Sequence, residues 1–150
     1  MKKVTINFDM DGTIANLYGV DNWLEKLIAE DPTPYVEAKP LLNLRLLAYQ
    51  LNRLQEKGYQ LAIISWLSKS ASDDYHEMVT QAKIQWLNKH LPSVKWNRIS
   101  ILPYGTPKEK YCNWEKDILF DDEEYNRQQW FGKAYDVFGI LEILKKMGES

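Results

Sequence analysis

Cysteine is nearly absent from this chain, with Cys112 alone among 150 residues. A single thiol cannot close an internal disulfide, so packing and hydrogen bonds must hold the fold, and the expected location is a reducing cytoplasm. Long apolar runs are missing as well: none approaches the ~20 residues needed to cross a bilayer, and the N-terminus has no apolar stretch of signal-peptide length. No membrane partner is expected. Lys plus Arg number 19 against 21 Asp plus Glu, a formal net charge of −2, so charge does not support a nucleic-acid partner. Repeats and low-complexity segments are absent. What remains, 45% hydrophobic residues over 150 positions, suits one domain, 1–150, around one core. Aromatic residues run against this scarcity, at 13% with six Trp; one core does not need so many, and some rings are expected on a binding surface.

Val4-Thr5-Ile6-Asn7-Phe8 is rich in β-branched and aromatic side chains, which predicts a strand. It stops at Asp9 and Asp11, followed by Gly12 and Thr13. Asp21-Asn22 then predicts the cap of a short helix over Trp23–Glu30, ended by Asp31-Pro32-Thr33-Pro34. Residues 18–39 are read as a small cap-like insert over the acids, too short for a second domain. Pro40 is placed in the first turn of a long helix that carries Leu44, Leu47, Ala48, Leu51 and Leu54 up to Gly58. Tyr59–Ile64 predicts a buried strand ending at Ser65, and Tyr75, Met78, Val79, Ala82 and Trp86 a second long helix. Arg98–Leu102, Ile118–Phe120 and Lys133–Val137 complete five strands, and Ile140, Leu141, Leu144 and Met147 mark a closing helix. Strands alternating with helices give the fold class: α/β, a three-layer α/β/α Rossmann-like domain with a mainly parallel five-stranded sheet.

In such a sheet the C-terminal strand ends share one edge, and ligands bind in the crevice outside it. Four features fall at that edge: Asp9 with Asp11, Ser65, Lys108, and Asp121 with Asp122. The Asp-x-Asp-Gly-Thr start and this order resemble the four motifs of the haloacid dehalogenase (HAD) superfamily of phosphatases and phosphotransferases. The resemblance covers most of the chain. The Ile-Leu-Phe-Asp-Asp ending and the small insert are similar, more loosely, to the 5′-nucleotidase, deoxy (C-type) branch. Several carboxylates in one cleft repel by roughly 4 kcal/mol per pair at ~4 Å and an effective dielectric of ~20, unless a cation intervenes. Mg2+ suits oxygen ligands and leaves room for a phosphate oxygen.

The resemblance implies metal ligation by the Asp9 carboxylate, the Asp11 carbonyl and one acid of the later pair, with Asp122 direct and Asp121 acting through water or a hydrogen bond. It also implies that Asp9 attacks phosphorus, Asp11 serves as acid and then base, Ser65 binds a phosphoryl oxygen and Lys108 neutralises charge. Lys110, and more distantly Lys116, remain rivals to Lys108. The expected substrate is a small phosphate ester, with a nucleoside monophosphate as candidate and Tyr18, Trp23, Trp66 and Tyr104 as stacking or lid residues. A partner subunit of a homo-oligomer could complete the pocket. Two alternatives stand beside an enzyme: a receiver-like phospho-acceptor module and an inactive HAD-like binding protein. Cys112, His76 and His90 are read as structural or surface residues.

Overall fold

The computed structural model describes residues 2–150. In chain order it contains β1 (Thr5–Phe8), β2 (Ala15–Asn16), α1 (Trp23–Ile28), α2 (Thr33–Glu37), β3 (Lys39–Pro40), α3 (Leu44–Glu56), β4 (Gln60–Trp66), α4 (Asp73–His90), β5 (Arg98–Leu102), β6 (Ile118–Phe120), α5 (Glu124–Gln129), β7 (Lys133–Tyr135) and α6 (Ile140–Glu149). Single 3-10 turns occupy Leu17–Gly19 and Lys108–Tyr111. Five strands pair in parallel in the order β5-β4-β1-β6-β7, with Phe8 opposite Ile63 on one side and Phe120 on the other. The fold class is thus α/β with a Rossmann-like parallel sheet. Chain order runs outward from β1 to β5, then returns to start again at β6. Loops leaving β1 and β6 diverge at that reversal, which opens a crevice between their C-terminal ends.

Alternation along each strand sorts the two faces. Ile6, Phe8, Leu61, Ile63 and Phe120 point to one face, where Leu47, Leu51 and Leu54 of α3, Trp86 and Leu87 of α4, and Ile140 and Leu144 of α6 cover them. Phe8 and Phe120 stack there at 5.2 Å. Truncating Phe8 to alanine at the centre of that face would cost about 3–5 kcal/mol. Ile64 and Leu119 point to the other face, under Trp130 and the partly buried Tyr111 and Cys112.

The stretch between β2 and β3 is fastened at both ends. Ala15–Asn16 pairs antiparallel with Lys39–Pro40, and Leu17 and Tyr35 pack on Tyr75, Val79 and Ala82 of α4. Trp86 Nε1 donates to the Ala38 carbonyl at 2.8 Å, and Tyr75 donates its hydroxyl proton to the Asp31 carbonyl at 3.1 Å. It is a docked layer with its own small core.

Several local expectations need correction. Pro40 lies in β3, where a two-residue edge ribbon tolerates its missing N–H; α3 begins after Asn43, whose Oδ1 accepts from Leu46 N at 3.0 Å. Asp31-Pro32-Thr33-Pro34 ends α1 but also starts α2, with Pro34 early enough that no helical hydrogen bond is lost. Asn22 precedes α1 in a left-handed conformation and makes no side-chain cap bond. The last strand stops at Tyr135, short of Val137. The acidic run after β6 leads into α5, a helix not foreseen from the sequence.

Candidate active site

All four residues of β1 are buried, so the chain leaves the sheet centre abruptly at Asp9, whose N–H still bonds the Phe120 carbonyl at 2.9 Å. The Met10 carbonyl then accepts from the N–H groups of Thr13, Ile14 and Ala15 at 3.0–3.1 Å, curling residues 10–15 into a tight loop. Gly12 sits at φ +83°, and a Cβ there would strike the Asp122 carboxylate. Only glycine meets both demands comfortably. The curl turns Thr13 back onto Asp9: its hydroxyl donates to Asp9 Oδ2 at 2.9 Å and accepts from Asp122 N at 3.3 Å. Thr13 therefore ties the two acidic loops together. It stood in the motif, yet its side chain drew no role.

Lys108 is 2% exposed and reaches Asp9 Oδ1 at 3.0 Å and Asp121 Oδ2 at 2.8 Å. Its rivals Lys110 and Lys116 are exposed, and Lys116 lies over Trp114. Of these three lysines, Lys108 is the one buried among the acids and lining the cleft. Asp121 is fully buried and saturated: Oδ2 also accepts from Asn126 at 3.2 Å, and Oδ1 from Glu123 N at 2.9 Å. Asn126 belongs to α5, which is why the sequence reading passed over it. Asp122 is less committed, with Thr13 Oγ1 at 3.5 Å from its Oδ1.

Ser65, at the end of β4, meets a residue that the sequence reading missed entirely. Lys83 of α4 is 1% exposed and donates to Ser65 Oγ at 2.7 Å, to the Trp66 carbonyl at 2.7 Å and to Asp11 Oδ2 at 3.0 Å. Its ammonium also sits 5.3 Å from the Tyr35 ring. A signal was available: position 83 is four residues beyond Val79 and three before Trp86, so the apolar stripe of α4 carries a lysine.

Four carboxylates thus face two ammonium groups. Burial raises the Asp11 carboxyl above its ordinary value, with Lys83 pulling against it. Burial and then the Asp9 charge push Asp121 up to about 6 and Asp122 up to about 8. Burial works against the Lys108 ammonium, but Asp9 and Asp121 outweigh it and raise its pKa. Such carboxyls are held in a state that a cation would relieve. One oxygen from each of Asp9, Asp121 and Asp122 lies within 4.8 Å of the others, a donor set suited to a hard divalent ion.

The acids open into a cleft of about 560 Å3 lined by Tyr18, Trp23, Tyr35, Trp66 and Tyr104, with Leu24, Leu27 and Ile28 from α1. All four aromatic residues singled out in the sequence reach it. Tyr18 and Trp23 meet edge to face at 4.9 Å, and Trp66 leans on Tyr104 at 5.2 Å. Trp66 does more than line the wall, since its Nε1 donates to the Thr106 carbonyl at 2.8 Å and Lys108 lies over its ring.

No family model matches the sequence, and no curated protein does. Among solved structures, D,D-heptose 1,7-bisphosphate phosphatase from Burkholderia thailandensis superposes with a TM-score of 0.51 at 16% identity, over 84% of this chain and 70% of that one. The HAD domain of effector protein Lem4 from Legionella pneumophila matches with a TM-score of 0.42 at 14% identity, over 89% and 84%. No helix among the described residues is long and apolar enough to cross a membrane. The sheet order and the superposition on the heptose phosphatase together show that this chain shares that protein's α/β fold.

Proposed function

We propose that this protein is a Mg2+-dependent phosphomonoesterase that works through an aspartyl-phosphate. The observation that carries the reading is Asp9 itself: a carboxylate at the central strand's end, oriented by Thr13 and Lys108 and facing the cleft beside a three-acid cluster. A nucleophilic carboxylate needs that fixed orientation and that charge neutralisation. A phosphatase among the proteins that share the fold is consistent with it.

Asp9, Asp122 and the Asp11 carbonyl would hold Mg2+, with Asp121 supporting from behind, because both Asp121 oxygens are already engaged by protein donors. When bound, the ion supplies neutralisation of the phosphoryl oxygens and of the acids. An Asp9 oxygen bonds to phosphorus as the bond to the leaving oxygen breaks, and protonated Asp11 gives that oxygen its proton. Asp11, now ionised, takes a proton from water; the oxygen of that water attacks phosphorus, releasing phosphate and restoring Asp9. Ser65 donates to a phosphoryl oxygen, and Lys108 remains an ammonium, offsetting charge on Asp9 throughout.

For the substrate we propose a monoester with a flat leaving group, a nucleoside monophosphate being the first to try, because aromatic rings line the cleft from both the insert and the sheet. Residues 18–39 act as a fixed cap-like wall. A panel of nucleoside monophosphates, sugar phosphates and aryl phosphates, assayed with Mg2+ and with EDTA, tests this. Turnover that needs Mg2+ and disappears in Asp9→Asn supports the proposal. Substantial hydrolysis by a clean Asp9→Asn preparation sinks the covalent route, and a long-lived phosphoprotein without turnover would favour a receiver-like module.

A further inference from the structure

Lys83 does not belong to the acid and lysine set that the phosphatase reading uses, yet it is among the most completely buried charged groups in the chain. An ammonium has three protons to donate and accepts nothing. All three are spent on named partners: Ser65 Oγ, the Trp66 carbonyl and Asp11 Oδ2. That allocation has two consequences. Ser65 Oγ is occupied as an acceptor by Lys83, so the serine's own proton is left to point elsewhere. Asp11 is gripped by one oxygen only, and no donor among the described residues holds Oδ1, so that edge of the carboxyl is left to the cleft that Asp11 lines.

Resting on the phosphatase reading, we infer that Lys83 is a positioning residue that aims two groups at once, the Ser65 hydroxyl as a donor to the phosphoryl group and the free Asp11 oxygen at the leaving group. Its location explains how the two can stay in register. Ser65 is the penultimate residue of β4 and Asp11 follows β1, on neighbouring strands, so the two strand ends could shift separately. Lys83 comes from the long helix α4 and bridges them from behind. Tyr35 of α2 closes over the same ammonium, which fastens the insert to the bridge.

The test compares Lys83→Met with wild type on two esters in Mg2+: an alkyl phosphate, whose leaving oxygen needs a proton, and p-nitrophenyl phosphate, whose leaving group departs without one. Read as kcat/KM, which stops at formation of the aspartyl-phosphate and so leaves out the later role of Asp11 as base, misaiming Asp11 should cost the alkyl ester about 10²-fold more than the aryl ester, the scale of general acid catalysis. A second arm needs no turnover. Inorganic phosphate binding is measured by calorimetry for Lys83→Met, Ser65→Ala and the double variant. Each single change should weaken phosphate roughly tenfold, the size of a charge-assisted hydrogen bond, and the double should be no worse than the weaker single, because Lys83 acts through Ser65. Equal loss on both esters, or additive losses of phosphate affinity, overturns the inference. Should the methionine variant fail to fold, Lys83→Gln, which keeps two donors, goes through the same comparison under the same criteria. If wild type turns over neither these two esters nor any member of the panel, the phosphatase reading fails while the phosphate arm still decides for or against Lys83.

Discussion

Without metal, this protein should lose stability as pH rises through the range where most proteins are most stable. The cause is the pair of acids after β6. Asp121 is pushed up to about 6 and Asp122 to about 8, in each case by burial first and the Asp9 charge second, against an ordinary value of 3.8. A carboxyl whose pKa is higher folded than unfolded binds its proton more tightly in the native state. Its stabilising contribution is therefore complete below the unfolded pKa and disappears as pH rises through the folded one. For Asp121 the displacement of about two units is worth about 3 kcal/mol, at roughly 1.4 kcal/mol per unit. Asp122 faces the cleft, where water screens it, and is discounted to about 1–2 kcal/mol. Together they predict that melting in EDTA falls by on the order of 10 °C between about pH 4 and pH 8, at ~2–4 °C per kcal/mol for a chain of this size. On the proposed metal site, millimolar Mg2+ would bind the ionised acids of the native state, so it should raise the melting temperature most at the alkaline end and flatten the slope. Melting followed by circular dichroism across that range, with EDTA and with Mg2+, gives both curves. Asp122→Asn serves as the control, since other groups titrate equally in it; its EDTA curve should be flatter. An identical slope in Asp122→Asn, or a wild-type slope untouched by Mg2+, would refute the repulsion argument and the metal site together.

Trp23→Ala should cut nucleotide turnover roughly tenfold while sparing a small ester, because a lost base stack is worth about 1–3 kcal/mol; equal loss on both makes Trp23 a wall residue only. Trp66→Ala should damage both substrates alike, since this ring also packs on Lys108 and anchors the Thr106 carbonyl; a nucleotide-selective loss, read from kcat/KM, would contradict that. Gly12→Ala places a methyl group against Asp122 at a left-handed φ, and should cost about 1–3 kcal/mol of stability and most of the Mg2+-induced rise in melting temperature. An unchanged Mg2+ response in Gly12→Ala would mean that Asp122 can move away freely.

Strand ends were the part of this site that the sequence could disclose, and helix faces the part it hid. Asp9, Asp11, Ser65, Asp121 and Asp122 each follow a short apolar run, and that switch from buried to polar marks a strand's end without any knowledge of what lies beside it. Parallel order then delivers them to one edge, so residues more than a hundred positions apart can be matched before any contact is known. Lys83, Thr13 and Asn126 carry no such mark. Lys83 lies mid-helix, and a lysine there usually belongs to a solvated face; its burial depends on Tyr35 arriving from the insert and on Ser65 lying beneath. Asn126 matters only because α5 turns it onto Asp121. Short elements were lost for a related reason. α2 and the β2–β3 ribbon contain too few residues for periodicity to show, and each is stabilised by what it packs on, Tyr75 and Val79 in one case and the loop after β1 in the other. Pro40 was misplaced because its fixed φ suits a first helical turn as well as an edge strand, and only the pairing with Ala15 decides between them. A strand's end is therefore written locally, whereas the partner that aims a catalytic group is written in the packing of another element against it.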